Sequence, residues 1–168
     1  GWEPVTLLNT RRIGGSPRIS EEDSDEDIPP QESGQPSELY GAGKVTGQVG
    51  GVRYGLMAAA EQDTTLENEE GDPIQALGRD FAVARVLYEN NDGGAYRALG
   101  AMGTFTTHPD EDATTAGVDY HYLSGTGAWR LDGQFLYSDL DLEGTGAGGF
   151  MDLEYTPRQG MKYRFAYT

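Results

Sequence analysis

Cysteine is absent from the 168 residues, which excludes a disulfide framework, a thiolate nucleophile and a cysteine-ligated metal site. Long hydrophobic runs are also missing, and no apolar stretch approaches the roughly 20 residues of a membrane-spanning helix. Basic residues are scarce, because 12 Lys and Arg stand against 28 Asp and Glu and the formal net charge is −16. Such a chain repels nucleic acid backbones, so we do not expect it to bind DNA or RNA.

Glycine and tyrosine are the residues in excess. Glycine accounts for 25 residues, about twice its ordinary share, and ten Tyr outnumber five Phe and two Trp. The opening GWEPVTLL has no recognisable leader sequence, and the closing YRFAYT has the pattern of a strand. We therefore expect this sequence to be a fragment or a processed piece of a longer protein.

The N-terminal segment 1–36 differs in composition from the rest of the chain. SEEDSDED, residues 20–27, places six carboxylates in eight residues, and a stretch rich in Pro, Gly and polar residues follows. This composition buries too little apolar surface to fold alone, so we predict an acidic flexible loop there. The whole segment is expected to act as a plug or a loop, while residues 37–168 form the strands of a partial β-barrel.

Alternation of apolar and polar residues predicts eight strands after residue 37. In AWRLDGQFLY, residues 128–137, Trp129, Leu131 and Phe135 alternate with polar residues. A strand directs successive side chains to opposite faces, so one face of this segment is apolar and the other polar. The predicted strands are roughly 38–49, 52–63, 79–90, 95–107, 115–123, 128–140, 149–156 and 161–168.

The connections between these strands alternate between tight and long. Glycine-rich tight turns are predicted at 50–51, 91–94, 124–127 and 157–160, and longer connections at 64–78, 108–114 and 141–148. This alternation predicts an up-and-down meander of antiparallel strands. The acidic residues concentrate in the longer connections, which are extracellular in an outer-membrane barrel.

Strand length favours a membrane location. Several predicted strands reach the 9–11 residues that a tilted strand needs to cross a bilayer, and Tyr and Trp lie near their ends. The predicted fold class is all-β: an antiparallel up-and-down meander of about eight strands, part of a transmembrane outer-membrane β-barrel. A soluble lipocalin-like barrel or a sandwich, whose strands also alternate, is the alternative.

Four stretches occur in a recognisable order: NTRRIGG (9–15), GAGKVTGQVGGVRYGLMAA (41–59), FAVARVLYENNDGGAYRALGAMGTFTT (81–107) and GVDYHYL (117–123). Together they resemble an uncharacterised family of bacterial outer-membrane β-barrels, usually found C-terminal to a carbohydrate-binding family 9-like domain. The resemblance covers most of the chain and rests on Arg11–Gly14, Lys44–Gly47, Ala84–Val86 and Gly117–Asp119.

This resemblance implies a bacterial outer-membrane location and a barrel that continues beyond this chain. It also implies a link to carbohydrate handling, through an N-terminal carbohydrate-binding-like domain in the parent chain. The acidic run 20–27 is not part of the family pattern, so we expect it to be a variable loop.

Charged and aromatic residues separate onto opposite faces of most predicted strands. The predicted lumen-facing residues are Arg11, Arg12, Lys44, Arg53, Arg85, Arg97, Asp119, His121, Arg130 and Arg164. The predicted lipid-facing residues are Tyr54, Leu56, Trp129, Leu131, Phe135, Tyr137, Tyr163 and Phe165. Charges in a lumen can pair with acids, hold residues 1–20 as a plug, or line a path for an anionic or sugar solute. Arg97 is ambiguous, because Leu99 and Phe105 share its face.

Catalytic chemistry finds little support in the sequence. Asp119 and His121 lie two residues apart on one face and could form a general-base pair, but no nucleophile accompanies them. GAGKVTG has Val45 where a phosphate-binding loop needs Ser or Thr, and EGTGAGG (143–149) is predicted to be a flexible connection. We therefore predict that this segment is not an enzyme.

Metal binding is limited to the acidic runs. DLDLEG (139–144) and SEEDSDED (20–27) carry carboxylate oxygens that suit Ca²⁺, but neither has the ligand spacing of an EF-hand. Solvated acidic loops are the expected role, with Ca²⁺ at these loops as the alternative. We predict no metal site and no cofactor.

The predicted function is an outer-membrane β-barrel segment for the passage or binding of a solute, carbohydrate being one class. The expected partners are outer-membrane lipid and a carbohydrate or other small solute. The alternative function is a soluble β-barrel or sandwich module that binds a ligand or Ca²⁺. A barrel-embedded hydrolase is the third.

Overall fold

The computed structural model describes residues 13–17, 29, 34–108, 111–142 and 144–168. Eight strands form one antiparallel sheet in which each strand pairs with its neighbours along the chain. The strands are β1 (Leu39–Val49), β2 (Val52–Glu61), β5 (Asp80–Asn90), β6 (Tyr96–Thr107), β7 (Ala113–Leu123), β8 (Trp129–Leu140), β9 (Gly144–Arg158) and β10 (Met161–Tyr167). The predicted all-β, up-and-down meander of eight strands is confirmed. The sheet is open, with β1 and β10 as its edges.

Tight turns connect the strands at one end of the sheet, as predicted. Gly50 follows β1 with φ +57°, and Gly160 follows β9 with φ +83°. This left-handed backbone region suits glycine, because it lacks a Cβ. A single 3₁₀ turn, Asp92–Gly94, connects β5 to β6. No helix in the described part of the chain is long and apolar enough to span a membrane.

The other end of the sheet departs from the prediction in two places. The long connection after β2 contains a separate hairpin, formed by β3 (Thr64–Glu67) and β4 (Pro73–Ala76). The predicted flexible connection at 143–149 is wrong for residues 144–149, which begin β9 and pair with β8 from Gly144↔Leu140 onward. A Cβ on Gly149 would lie 2.6 Å from the Gln134 carbonyl oxygen. Glycine here therefore permits close backbone approach within a strand.

The two faces of the sheet have opposite chemistry. The apolar face carries exposed large side chains, namely Val45, Tyr54, Leu56, Val86, Tyr88, Leu99, Phe105, Val118, Trp129, Phe135, Tyr137, Tyr163 and Phe165. The charged face carries Arg53, Arg85, Asp119, His121, Arg130, Asp132, Asp152, Glu154, Lys162 and Arg164. The strand register assigns the faces, because directly paired residues share a face.

Buried apolar side chains are few and lie away from the apolar face. Among the described residues they are Ala59, Leu66, Ile74, Ala76, Ala95 and Ala98, so Leu66 and Ile74 are the only large ones. Leu66 and Ile74 face each other across the β3–β4 hairpin. The apolar face is therefore left uncovered by the rest of the described chain.

Residues 13–17 attach to the long-connection end of the sheet through a buried ion pair. Glu61, at the end of β2, lies 2.8 Å from Arg79 Nε and accepts a hydrogen bond from the Gly14 amide at 2.8 Å. Arg79 also donates to the Ser16 carbonyl at 3.3 Å, and the Ser37 amide donates to the Gly15 carbonyl at 2.8 Å. The acidic loop predicted at 20–27 lies outside the described residues.

Candidate functional site

Charged side chains on the charged face form a continuous series of contacts across β5, β7 and β8, which we name the central network. Arg85 Nη1 lies 2.9 Å from Asp119 Oδ1, and Asp119 Oδ2 lies 3.6 Å from His121 Nε2. His121 Nδ1 lies 2.8 Å from Asp132 Oδ1, whose other carboxylate oxygen lies 2.6 Å from Arg130 Nε. Basic and acidic side chains thus alternate along the sheet.

Strand register explains why these residues meet. His121 and Asp132 are directly paired across β7 and β8, while Asp119 and Arg130 each lie two residues away on the same face. Arg85 reaches Asp119 across β6, where Gly100 is the residue paired with Asp119. Both ring nitrogens of His121 lie near carboxylates, Nδ1 near Asp132 and Nε2 near Asp119.

A second cluster on the same face involves β2, β5 and β6. Arg53 Nη2 lies 2.6 Å from Glu89 Oε2, and the Tyr96 hydroxyl donates to Glu89 Oε1 at 2.8 Å. Glu89 is largely covered by these partners, whereas the Arg53 side chain remains more than half exposed. Exposed ion pairs contribute little to stability, so this cluster mainly compensates charge on a hydrated surface.

The third cluster lies in a recess over β8, β9 and β10, which His121 of β7 borders on one side. Its volume is ≈ 400 Å³. We name it the β8–β10 recess, and it is lined by His121, Arg130, Asp132, Phe150, Asp152, Glu154, Lys162 and Arg164. Lys162 Nζ lies 2.6 Å from Glu154 Oε2, and Arg164 Nε donates to Asp152 Oδ1 at 2.9 Å. The recess is continuous with the central network through His121, Arg130 and Asp132.

Aromatic rings on the apolar face pack over glycines and over each other. Tyr54 covers Gly47 on β1, and Tyr120 covers Gly133 on β8, in each case filling the space that a Cβ would need. Near the short-turn end, Trp129 stacks on Tyr155 with ring centroids 4.0 Å apart. Tyr155 in turn stacks on Tyr163, with ring centroids 6.4 Å apart. These three rings form an aromatic group at one border of the apolar face.

Most predicted site residues fall where the sequence pattern predicted. Lys44, Arg53, Arg85, Asp119, His121, Arg130 and Arg164 share the charged face, and all eight predicted lipid-facing residues share the apolar face. Arg97 does not belong with the first group: it lies on the apolar face opposite Tyr122, its guanidinium 6.0 Å from that ring. Arg11 and Arg12 lie outside the described residues. Whether either face meets lipid or a lumen stays a prediction.

Several partners of the basic residues were not identified from the sequence. Glu89, Asp132, Asp152 and Glu154 complete the ion pairs, and Phe150 lines the recess. Period-2 spacing from Arg130 would have indicated Asp132. Asp152 and Glu154 lie within the predicted strand 149–156, but alternation alone does not show that they meet Arg164 and Lys162 on the neighbouring strand.

Metal ligands do not cluster in the described part of the chain, where no group of three or more His, Asp or Glu could hold an ion. Comparisons with family models, curated proteins and solved structures find no match to this chain. The resemblance to an outer-membrane barrel family therefore stays a prediction.

Proposed function

We propose that this chain is a wall segment of a bacterial outer-membrane β-barrel. Its apolar face contacts lipid, and its charged face borders an aqueous lumen in which a polar solute passes or binds. The observation that carries the proposal is the contrast between the two faces: the large apolar side chains of one face are exposed, whereas the charged groups of the opposite face are paired. Water is a poor solvent for such an extended apolar surface, which indicates a partner or a membrane.

The position of the apolar residues along each strand supports lipid as that partner. On β5 they run from Ala82 to Tyr88, with Asp80 and Asn90 at the borders. On β8 they run from Tyr137 to Trp129, with Asp139 at the outer border. β5 therefore carries an apolar segment with polar residues at both borders, and β8 carries one with a polar residue at its outer border.

These apolar segments are displaced from strand to strand. Through the register, Ala82 on β5 lines up with Asp139 on β8, and Asn90 lines up with Leu131. Relative to β5, the segment on β8 is therefore shifted towards the short turns, by two residues at its outer end and by four at its short-turn end. At about 3.3 Å per residue and about 4.8 Å per strand, the apolar band is inclined by roughly 25–40°. A membrane layer crossed by strands tilted about 35–45° leaves this kind of displacement.

The two sheet edges also fit this proposal. Within the part of the chain that the structure describes, no strand pairs with the outer side of β1 or of β10. Backbone groups on these sides must be paired inside a bilayer, so the proposal requires further strands at both edges. The required strands belong to the parent barrel or to another chain.

Single cysteines test the placement of the faces, because the chain contains none of its own. We would place cysteine at Arg85 or Arg130, and at Trp129 or Phe135, then label outer membranes with a small, water-soluble thiol reagent. The proposal expects labelling at 85 and 130 and protection at 129 and 135. Labelling at 129 and 135 with protection at 85 and 130 would contradict it. Equal labelling of all four positions in a soluble fraction would favour the soluble module.

A further inference from the structure

The β8–β10 recess has the dimensions of a small-molecule site. Its volume of ≈ 400 Å³ falls within the range of about 300–1,000 Å³ that such sites occupy. Four neighbouring strands contribute side chains to it, from His121 on β7 to Lys162 and Arg164 on β10. Polar side chains from all four strands therefore line the same recess.

Formal charges within the recess compensate one another. Three cationic side chains, Arg130, Lys162 and Arg164, stand against three carboxylates. Arg130 pairs with Asp132, Lys162 with Glu154 and Arg164 with Asp152. The formal charges of these three pairs sum to zero, so the recess has no net formal charge to favour an anion or a cation.

Hydrogen-bonding capacity remains after the ions have paired. Lys162 has three N–H donors and an arginine has five, and each carboxylate has about four lone-pair positions. Donors and acceptors consequently alternate at close spacing around the recess. A hydroxyl both donates and accepts, so adjacent hydroxyls on one molecule can bind to a cation and to its carboxylate partner together.

Phe150 supplies the apolar contact of the recess. It follows a part of β9 in which Gly146 and Gly148 occupy the same face, and no atom lies within 4 Å of a Cβ built on Gly148. The neighbouring position of β9 on this face, Gly148, therefore has no side chain and has open space above it. A flat, partly apolar molecule can lie against this ring while its polar edge contacts the charged pairs.

We infer that the β8–β10 recess binds a neutral, polyhydroxylated solute of the carbohydrate class. The hydroxyls bind between the paired charges, and the C–H face of the ring lies on Phe150. This inference rests on the proposed function, which gives the charged face access to water. It specifies which solutes the lumen takes: uncharged polyols in preference to anions or cations of the same size.

The test uses the protein extracted in detergent and three probes of equal length and different charge: a neutral glucose trisaccharide, a trisaccharide of glucuronate and a trisaccharide of glucosamine. Binding is measured by saturation-transfer NMR and calorimetry. We expect the neutral trisaccharide to bind with at least several-fold higher affinity than either charged sugar. Phe150→Ala is expected to weaken binding of the neutral trisaccharide roughly tenfold. Met151→Ala, the matched control on the opposite face of β9, should leave binding unchanged.

The inference is overturned if a charged sugar binds as tightly as the neutral trisaccharide, if no sugar binds, or if Phe150→Ala and Met151→Ala have the same effect. A heat-shift gel of each variant shows whether it has folded. Should Phe150→Ala fail to fold, Phe150→Leu replaces it. The cysteine labelling is an independent measurement. Correct labelling without sugar binding rejects this inference alone, whereas reversed labelling rejects the proposed function.

Discussion

The carboxylate of Asp119 occupies the space directly over Gly100. A Cβ at position 100 would lie 2.6 Å from Asp119 Oδ2, closer than real Cβ contacts allow. Arg85 and Asp119 belong to strands separated by β6, yet their side chains meet at 2.9 and 3.2 Å. They meet because position 100 has no side chain between them. The central network therefore depends on one glycine.

Gly100→Ala tests this dependence. The added methyl group displaces the Asp119 carboxylate and separates it from Arg85, and we expect about 1–3 kcal/mol of destabilisation. Urea unfolding in detergent provides the measurement. Gly103→Ala is the matched control, because its Cβ meets nothing nearer than 3.9 Å. Equal loss of stability in both variants would show that strand propensity, not the ion pair, determines the effect.

The pairing of Tyr120 with Gly133 predicts strong coupling between these positions. The tyrosine ring fills the space over the glycine, so Gly133→Ala forces the ring to move. We expect about 1–3 kcal/mol of destabilisation from that overpacking. In the double variant Gly133→Ala with Tyr120→Ala the clash is absent, so its loss of stability should be smaller than the sum of the two single losses. Simple additivity would disprove the contact.

The buried pair Glu61 and Arg79 predicts a local effect on the long-connection end. The Glu61 side chain is 1% exposed and that of Arg79 17% exposed, so Glu61→Gln leaves a buried cation without its charge partner. Removing one partner of such a pair costs about 3–5 kcal/mol. We expect faster proteolysis within residues 62–79, measured by mass spectrometry. Glu67→Gln, at an exposed position of β3, should leave cleavage unchanged, and similar cleavage in both variants would contradict the role of the pair.

Phe135→Arg separates the membrane proposal from the soluble alternative. Phe135 lies near the middle of the apolar face and is 55% exposed. An arginine facing the bilayer midplane costs about 2–4 kcal/mol, so we expect poor assembly into the outer membrane, measured by the heat-shifted gel band. Ser138→Arg on the charged face should assemble normally. In a soluble module Phe135→Arg would change stability by about 0.5 kcal/mol or less, and this result would reject the membrane placement.

Local chemistry explains how far the sequence predicted the fold and the site. The period-2 alternation of β2, β8 and β10 assigned their faces correctly, and the turns predicted at 50–51 and 157–160 marked the short-turn end. Arg97 was assigned to the wrong face because its charge was given more weight than the apolar residues Leu99 and Phe105, which share its face. The glycine run at the start of β9 was misassigned because its local propensity is weak.

The sequence by itself determined the number and direction of the eight sheet strands and the faces of most of them, since alternation and turn chemistry act over a few residues. Tertiary structure decided which charges meet. Arg85 finds Asp119 across a whole strand, and Arg164 finds Asp152 on a strand whose beginning is glycine. Such pairs depend on strand register and on small residues, such as Gly100, at the positions between the paired side chains. The β9 glycines form a strand for the same reason: β8 supplies their hydrogen-bond partners, which local sequence does not contain.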